Sequence, residues 1–177
     1  MCNKLTLVIG GASSGKSDIA EKICRYSNLS RIYLATAQAF DDEMRTKAAR
    51  HRTNRGPDWH TIEEPFDAAS VLTGASEGQI VLLDCATLWL TNHLLAQHDL
   101  PQEKARLIDA LRKTSAQVVV VTNEVGQGIV PENALARAFR IEQGQLNRDL
   151  AAAADCVVGV MAGLPFALKG AMPDGLS

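Results

Sequence analysis

The sequence predicts an α/β protein in which helices cover both faces of a mostly parallel sheet. Three observations predict this fold class. Short runs of Val, Ile and Leu recur along the chain, amphipathic helical stretches separate them, and a glycine-rich turn joins the first run to the first helix. Continuous apolar runs are typical of parallel strands buried on both faces, and their alternation with helices favours a layered α/β architecture.

The first strand and helix are joined by the pattern Gly-x-x-x-x-Gly-Lys-Ser. Glycine lets the backbone approach an anion closely, and the N–H groups of the loop and the helix N-terminus then point at phosphates. Lys16 would reach the β- and γ-phosphates of a nucleotide, and the Ser17 hydroxyl would ligate Mg²⁺. In this strand–loop–helix context we prefer a nucleoside triphosphate site to an ordinary glycine turn. Its members are Gly10, Gly11, Ala12, Ser13, Ser14, Gly15, Lys16 and Ser17.

The remaining elements follow from apolar pattern and breakers. Strands are expected at 31–37, 79–84, 117–124 and 155–161, with a short extended piece at 59–65. Helices are expected at 41–52, from 65 to about 72, and at 86–95, 102–113 and 132–154. The loop 126–131 is placed to fold over the ligand crevice. The tail from Gly163 contains two prolines and two further glycines, so it is expected to fray or pack irregularly.

Ligands of parallel sheets bind at the carboxyl ends of the strands. Gly10, residues 35–37, Asp84 and residues 122–124 are therefore expected to meet at one crevice. Asp84 could ligate Mg²⁺ directly or through water, or it could cap the next helix. Glu124 makes a similar case, or could orient a substrate hydroxyl, but position ranks Asp84 first.

His51 is a candidate nucleophile. Lys47, Arg50, Arg52 and Arg55 surround it in sequence, and their charge would lower its pKa and keep the imidazole neutral near pH 7. The same cations could hold a triphosphate and stabilise departing pyrophosphate. On residue statistics alone, a solvated histidine near a helix end is the more common case. The other three histidines and both tryptophans are interpreted as ordinary structural residues.

Composition limits the remaining possibilities. The 177 residues are expected to form a single domain, 1–177, with 46% hydrophobic and 21% charged residues. The net charge of −2 gives no electrostatic case for nucleic acid, and no apolar run is long enough to span a membrane. Four dispersed cysteines lack metal-ligand spacing, and those at 24, 85 and 156 are expected in the core. We expect a reduced, cytoplasmic protein.

Several longer motifs add a resemblance to a known family. They are Gly10–Ser17, Asp41-Asp42-Glu43-Met44, His51-Arg52, Trp59-His60-Thr61-Ile62-Glu63, Leu83-Asp84-Cys85 and Thr122-Asn123-Glu124-Val125-Gly126-Gln127-Gly128-Ile129-Val130-Pro131. In this order they resemble the bifunctional adenosylcobinamide kinase / adenosylcobinamide-phosphate guanylyltransferases of cobalamin biosynthesis. The likeness extends from residue 5 to about 169, and its last motif is far more particular than the phosphate loop. Together with the loop it implies a P-loop NTPase-like, RecA-like three-layer sandwich.

The resemblance implies two reactions. A hydroxyl of adenosylcobinamide takes a phosphoryl group from ATP or GTP, and GMP from GTP then passes through a guanylyl-histidine to the phosphorylated corrinoid. The guanylylated residue matches His51. Mg²⁺ would be held by Ser17 and Asp84, and Lys16 would act in catalysis. Further nucleotide contacts would be Ala35, Thr36, Ala37, Arg52, Thr53, Asn54, Arg55, Glu63 and Asp84. The resemblance also implies a homo-oligomer, typically a trimer.

One departure and two alternatives stay open at this point. The family commonly has Arg-Pro before the tryptophan, whereas Gly56-Pro57 follows Arg55 here, which leaves the role of Arg55 open. A single-function P-loop kinase acting on another small alcohol would leave His51 structural. A nucleotide-dependent switch would need a catalytic glutamine or arginine finger, and the sequence offers no compelling pattern for either.

Overall fold

The computed structural model describes residues 4–38 and 56–176. Within them, seven strands form one sheet in the order β3-β2-β4-β5-β1-β6-β7. The strands are β1 Leu5–Gly10, β2 Ser30–Ala35, β3 Trp59–Glu63, β4 Gln79–Asp84, β5 Gln117–Asn123, β6 Cys156–Met161 and β7 Leu164–Lys169. Five helices accompany them: α1 Lys16–Tyr26, α2 Ala68–Gly74, α3 Ala86–Leu95, α4 Leu100–Lys113 and α5 Ala134–Ala153.

The sheet is parallel except for the antiparallel pair β6–β7. The predicted mostly parallel α/β architecture is therefore confirmed. The extended piece at 59–65 is in part the edge strand β3, which pairs with β2. The predicted helix at 41–52 lies outside the described residues.

Two apolar clusters, one on each face of the sheet, form the core. Side chains alternate along each strand, so Val118 and Val120 join the cluster beneath α2, α3, α4 and α5, whereas Val119 and Val121 join the cluster beneath α1. Helix α1 covers its face with Ile19, Ala20, Ile23 and Cys24. The sheet is thus enclosed on both faces, as continuous apolar strands require.

The tail beyond Gly163 does not fray, and that prediction was wrong. It forms β7, joined to β6 by a two-residue turn in which Ala162 and Gly163 have φ of 52° and 79°. Two positive φ values in a two-residue hairpin define a type I′ turn, which matches the right-handed strand twist. Pro165 is tolerated because β7 is an edge strand.

The structural interpretations of tryptophan and cysteine are confirmed. Trp59 and Trp89 are buried, and the Trp89 indole N–H donates to the carbonyl of Phe66 at 2.8 Å. The cysteines at 24, 85 and 156 are buried free thiols. Among the described helices, none combines the length and apolarity needed to cross a membrane.

Candidate functional site

The glycine-rich loop has the predicted strand–loop–helix setting. It begins at Gly10, the last residue of β1, and ends where Lys16 begins α1. Gly15 caps the helix at φ 91° and supplies no side-chain hydrogen bond to the first turn. The Lys16 ammonium turns back over the loop and donates to the carbonyl of Gly11 at 2.9 Å. This geometry combines a cation with a helix N-terminus that no side chain of the described residues caps, which suits phosphate binding.

The loop glycines do different jobs from one another. Gly10 is required by space, because a Cβ there would lie 2.5 Å from both Ser14 Oγ and the backbone oxygen of Val160. A Cβ on Gly11 would meet no atom of the described residues within 4 Å. Within the loop, positive φ values are found at Ser13, with φ 56°, and at Gly15, with φ 91°. Glycine's tolerance of a positive φ is therefore used at Gly15, and its lack of a Cβ is used at Gly10.

Ser14 gives the loop a buried hydroxyl. Its side-chain oxygen is buried and has no hydrogen-bond partner among the described residues. An unsatisfied buried hydroxyl costs stability in the free protein. A phosphate oxygen would satisfy this hydroxyl by accepting its hydrogen bond.

The β6–β7 turn packs against the phosphate loop and is hydrogen-bonded to it. The N–H of Gly163 donates to the carbonyl of Ser14 at 2.8 Å. A Cβ on Gly15 would come within 3.2 Å of Gly163 Cα. This support was not predicted from the sequence, because residue 163 was expected to begin an irregular tail.

Asp84 ends β4, the strand next to β5, and is held by a side chain of β2. The phenol of Tyr33 donates to Asp84 Oδ2 at 3.0 Å. Beside it, the fully buried Thr36 donates its hydroxyl to the carbonyl of Cys85 at 2.7 Å and accepts the Cys85 N–H at 2.9 Å. The Thr36 side chain thus fixes the backbone that carries Asp84. Neither Tyr33 nor this support was foreseen.

The donors near the loop suit a hard cation that keeps most of its water. Ser17 lies in the first turn of α1, and Asp84 ends β4. In the described part of the chain, no three His, Cys, Asp or Glu side chains form a metal-binding group. One hydroxyl and one carboxylate, completed by phosphate oxygens and water, fit Mg²⁺ better than a metal that needs a full protein cage.

The thiol next to Asp84 is kept protonated. Burial and, to a smaller extent, the negative charge of Asp84 raise the pKa of Cys85 to about 11, against the opposing effect of Lys16. Its sulfur accepts the N–H of Leu88 at 3.5 Å and caps α3. Cys85 is therefore a structural cap and not a nucleophile at neutral pH.

At the end of β5, Glu124 and Asn123 have different surroundings. The Glu124 N–H donates to the carbonyl of Gly10 at 3.0 Å, so the strand end is tied to the phosphate loop. Its carboxylate accepts the N–H of Gly126 at 2.5 Å and closes the following turn. Asn123 lies opposite Gly10 in the β1–β5 pair.

The predicted site residues that the structure describes lie together at one end of the sheet. Gly10 is paired with Asn123, and Ala35 is paired with both Asp84 and Glu63. Glu63 is exposed at the end of β3. Ala37 follows Thr36 at the end of β2. The candidate nucleophile His51 and its neighbours Arg52, Thr53, Asn54 and Arg55 lie outside the described residues.

Comparison with known proteins now decides the family. Residues 6–168 match the model of the cobinamide kinase / cobinamide phosphate guanyltransferase family. The chain belongs to this family. Bifunctional adenosylcobalamin biosynthesis proteins are among its relatives: CobP of Pseudomonas aeruginosa is 43% identical over 93% of the chain and 96% of its own length. CobU of Escherichia coli is 38% identical over 93% of the chain and 99% of its own length.

Two solved structures share the fold of this chain at low sequence identity. The RadB recombinase superposes with a TM-score of 0.50 over 88% of this chain and 73% of its own, at 17% identity. A protein of Pyrococcus horikoshii superposes with a TM-score of 0.53 over 98% of this chain and 89% of its own, at 10% identity. The RecA-like prediction for the fold is confirmed.

Proposed function

We propose that this chain is a bifunctional adenosylcobinamide kinase and adenosylcobinamide-phosphate guanylyltransferase. The observation that carries the proposal is the family match over residues 6–168, and the strand–loop–helix setting of the phosphate loop supports it. The printed names of the relatives from P. aeruginosa and E. coli describe bifunctional proteins of adenosylcobalamin biosynthesis. The nucleotides would be ATP or GTP for the first reaction and GTP for the second.

In the kinase reaction the chain positions and neutralises more than it reacts. The loop N–H groups hold the phosphates, and Lys16 moves from the Gly11 carbonyl to the β- and γ-phosphates. The alcohol oxygen of adenosylcobinamide bonds to the γ-phosphorus, and the bond to the bridging oxygen breaks. Mg²⁺, held by Ser17 and Asp84, would neutralise charge on the phosphates.

In the guanylyl reaction His51 is the proposed nucleophile. Its imidazole nitrogen bonds to the α-phosphorus of GTP and pyrophosphate leaves with the electron pair. The phosphate of adenosylcobinamide phosphate then displaces the imidazole and gives adenosylcobinamide-GDP. Arg52, Thr53, Asn54, Arg55 and Glu63, with residues 35–37, are proposed as nucleotide contacts. We further propose a cytoplasmic homo-oligomer, a trimer as the family resemblance implies, whose whole chain of 177 residues is one transferase domain.

Two labels on GTP test both halves. The γ-label should pass to adenosylcobinamide, and the α-label should become protein-bound in an acid-labile, base-stable form. His51→Ala should lose the α-label and keep γ-transfer. His60→Ala, which truncates an exposed histidine on β3, is the matched control and should keep both.

Other outcomes would select the alternatives. Transfer of the γ-label without any protein-bound α-label would indicate a single-function kinase. Hydrolysis that ignores the corrinoid acceptor would indicate a nucleotide-dependent switch.

A further inference from the structure

Strand β5 extends beyond its neighbour β4 at the site. Asp84, the last residue of β4, lies opposite Val121, whereas β5 continues to Asn123, opposite Gly10 of β1. Because β5 lies between β4 and β1, Asn123 stands between the carboxylate of Asp84 and the phosphate loop.

The side chain of Asn123 leaves the sheet on the face of α1. Val119 and Val121 belong to the cluster beneath α1, and strand alternation gives Asn123 the same face. Leu82 and Val8 place the positions of Asp84 and Gly10 on that face in the same way. The asparagine therefore shares its face with the proposed Mg²⁺ carboxylate and with the helix that begins at Lys16.

The backbone of Asn123 is fixed by side chains. Its N–H donates to Thr87 Oγ1 at 2.8 Å, and its carbonyl accepts from Asn147 Nδ2 at 3.0 Å. On the opposite face, the Thr122 hydroxyl donates to Asn147 Oδ1 at 2.7 Å. Gln143 Nε2 donates to Thr122 Oγ1 and to Asn147 Oδ1. This buried network holds the end of β5 in one position.

The side chain of Asn123, in contrast, has an unsatisfied acceptor. Its Oδ1 is buried and has no hydrogen-bond partner among the described residues. An amide oxygen can only accept, and the oxygens of a nucleotide triphosphate are also acceptors at neutral pH. The phosphate groups therefore cannot satisfy this oxygen, whereas a hydroxyl donor of the other substrate can.

We propose that Asn123 orients the hydroxyl group that attacks the γ-phosphorus, with Oδ1 accepting its hydrogen bond. The inference rests on the proposed kinase reaction. Glu124 is the other polar side chain at this strand end, and its carboxylate is already engaged with Gly126. Asn123 is thus a substrate-contacting residue that fixes the angle of attack.

Asn123 takes up no proton during phosphoryl transfer to the alcohol. The alcohol oxygen bonds to phosphorus, and the bridging oxygen leaves with its electron pair on the nucleoside diphosphate. The hydroxyl proton passes to an oxygen of the transferred phosphoryl group and then to water, because an amide oxygen is too weak a base to keep it. The contribution of Asn123 is positioning only.

Kinetics separate this role from nucleotide binding. Asn123→Ala should lower kcat for γ-phosphoryl transfer to the corrinoid alcohol by about 10- to 100-fold. Its Kd for a non-hydrolysable triphosphate, its hydrolysis of GTP without acceptor, and its labelling by α-labelled GTP should match the wild type. An unchanged kcat, or a parallel loss of nucleotide affinity, would overturn the inference. Absence of γ-transfer in the wild-type protein would instead overturn the proposed function.

Stability provides a second, independent test. In Asn123→Leu the unsatisfied acceptor is gone, while the branched shape with its four side-chain heavy atoms is kept, so the Tm should equal or exceed that of the wild type. Asn147→Leu is the matched control, since it removes a buried and fully engaged amide and should lower the Tm clearly. If Asn123→Leu lowers the Tm as much as Asn147→Leu does, Asn123 is structural and the inference is wrong.

Discussion

Two adjacent glycines in the phosphate loop offer a sharp test of the packing described above. In Gly10→Ala the new methyl carbon would lie 2.5 Å from the backbone oxygen of Val160 in β6. That is about 1 Å shorter than an ordinary carbon–oxygen contact. Ser14 Oγ, also at 2.5 Å, can rotate away, but the Val160 carbonyl belongs to β6, a strand held by hydrogen bonds to β1 on one side and β7 on the other. Overpacking of this kind costs about 1–3 kcal/mol.

The same substitution one residue later is the control. Within residues 4–38 and 56–176, a Cβ on Gly11 meets nothing closer than 4 Å, so Gly11→Ala should change the free energy of unfolding by about 0.5 kcal/mol or less. For a chain of this length, the Gly10→Ala cost corresponds to a Tm about 2–12 °C lower. Thermal denaturation measures the difference, and titration with a Mg²⁺–nucleotide should show that Gly10→Ala also weakens binding. Equal melting temperatures for the two variants would refute the contact with Val160.

Three further predictions concern the hairpin turn, a buried histidine and a buried thiol. Ala162→Gly relieves a positive φ and should raise the Tm by a few degrees, whereas Gly163→Ala should lower it and weaken nucleotide binding through Ser14; the same sign for both would contradict the turn geometry. Burial lowers the pKa of His93; the charges of His98 and Arg106 act in the same direction and that of Glu103 opposes them. The stability that neutral His93 contributes should therefore be fully present above about pH 6.5 and be lost as the pH falls below it. His93→Gln should flatten that part of the Tm-against-pH curve, and an unchanged slope would contradict the prediction. Because burial raises the pKa of Cys85 to about 11, iodoacetamide at pH 8 should alkylate it about 100-fold more slowly in the folded than in the unfolded protein; comparable rates by peptide mapping would show an accessible thiolate.

The central strands and the phosphate loop could be predicted because each is a local pattern. Strands β1, β4 and β5 are continuous apolar runs buried on both faces, and the loop is defined by eight consecutive residues. The convergence of strand ends at one edge follows from parallel topology alone.

Strand β7 was missed for a physical reason. Its large apolar side chains, Leu164, Phe166 and Leu168, are largely exposed, and it pairs with a single neighbour. Because β7 has no buried apolar run, the nearby prolines and glycines led to the prediction of an irregular tail instead of a strand. The type I′ turn that creates the hairpin begins with alanine, a residue that rarely adopts a positive φ.

The supporting residues of the site could not be predicted because they depend on register. Asn123 lies at the site because β5 extends two residues beyond the end of β4. Tyr33 contacts Asp84 across the β2–β4 pair. A polar residue after an apolar run is a weak signal that a strand end lies near a ligand. The different surroundings of Asn123 and Glu124 become apparent only when the hydrogen bonds are known.

The central claim is that one chain converts adenosylcobinamide to adenosylcobinamide-GDP. The most direct measurement is mass spectrometry of the corrinoid products after incubation with adenosylcobinamide, excess GTP and Mg²⁺. We predict adenosylcobinamide phosphate at early times and adenosylcobinamide-GDP at the end, with neither formed by Lys16→Ala. A corrinoid that stays unmodified, or a product that never advances beyond the phosphate, would contradict the bifunctional account.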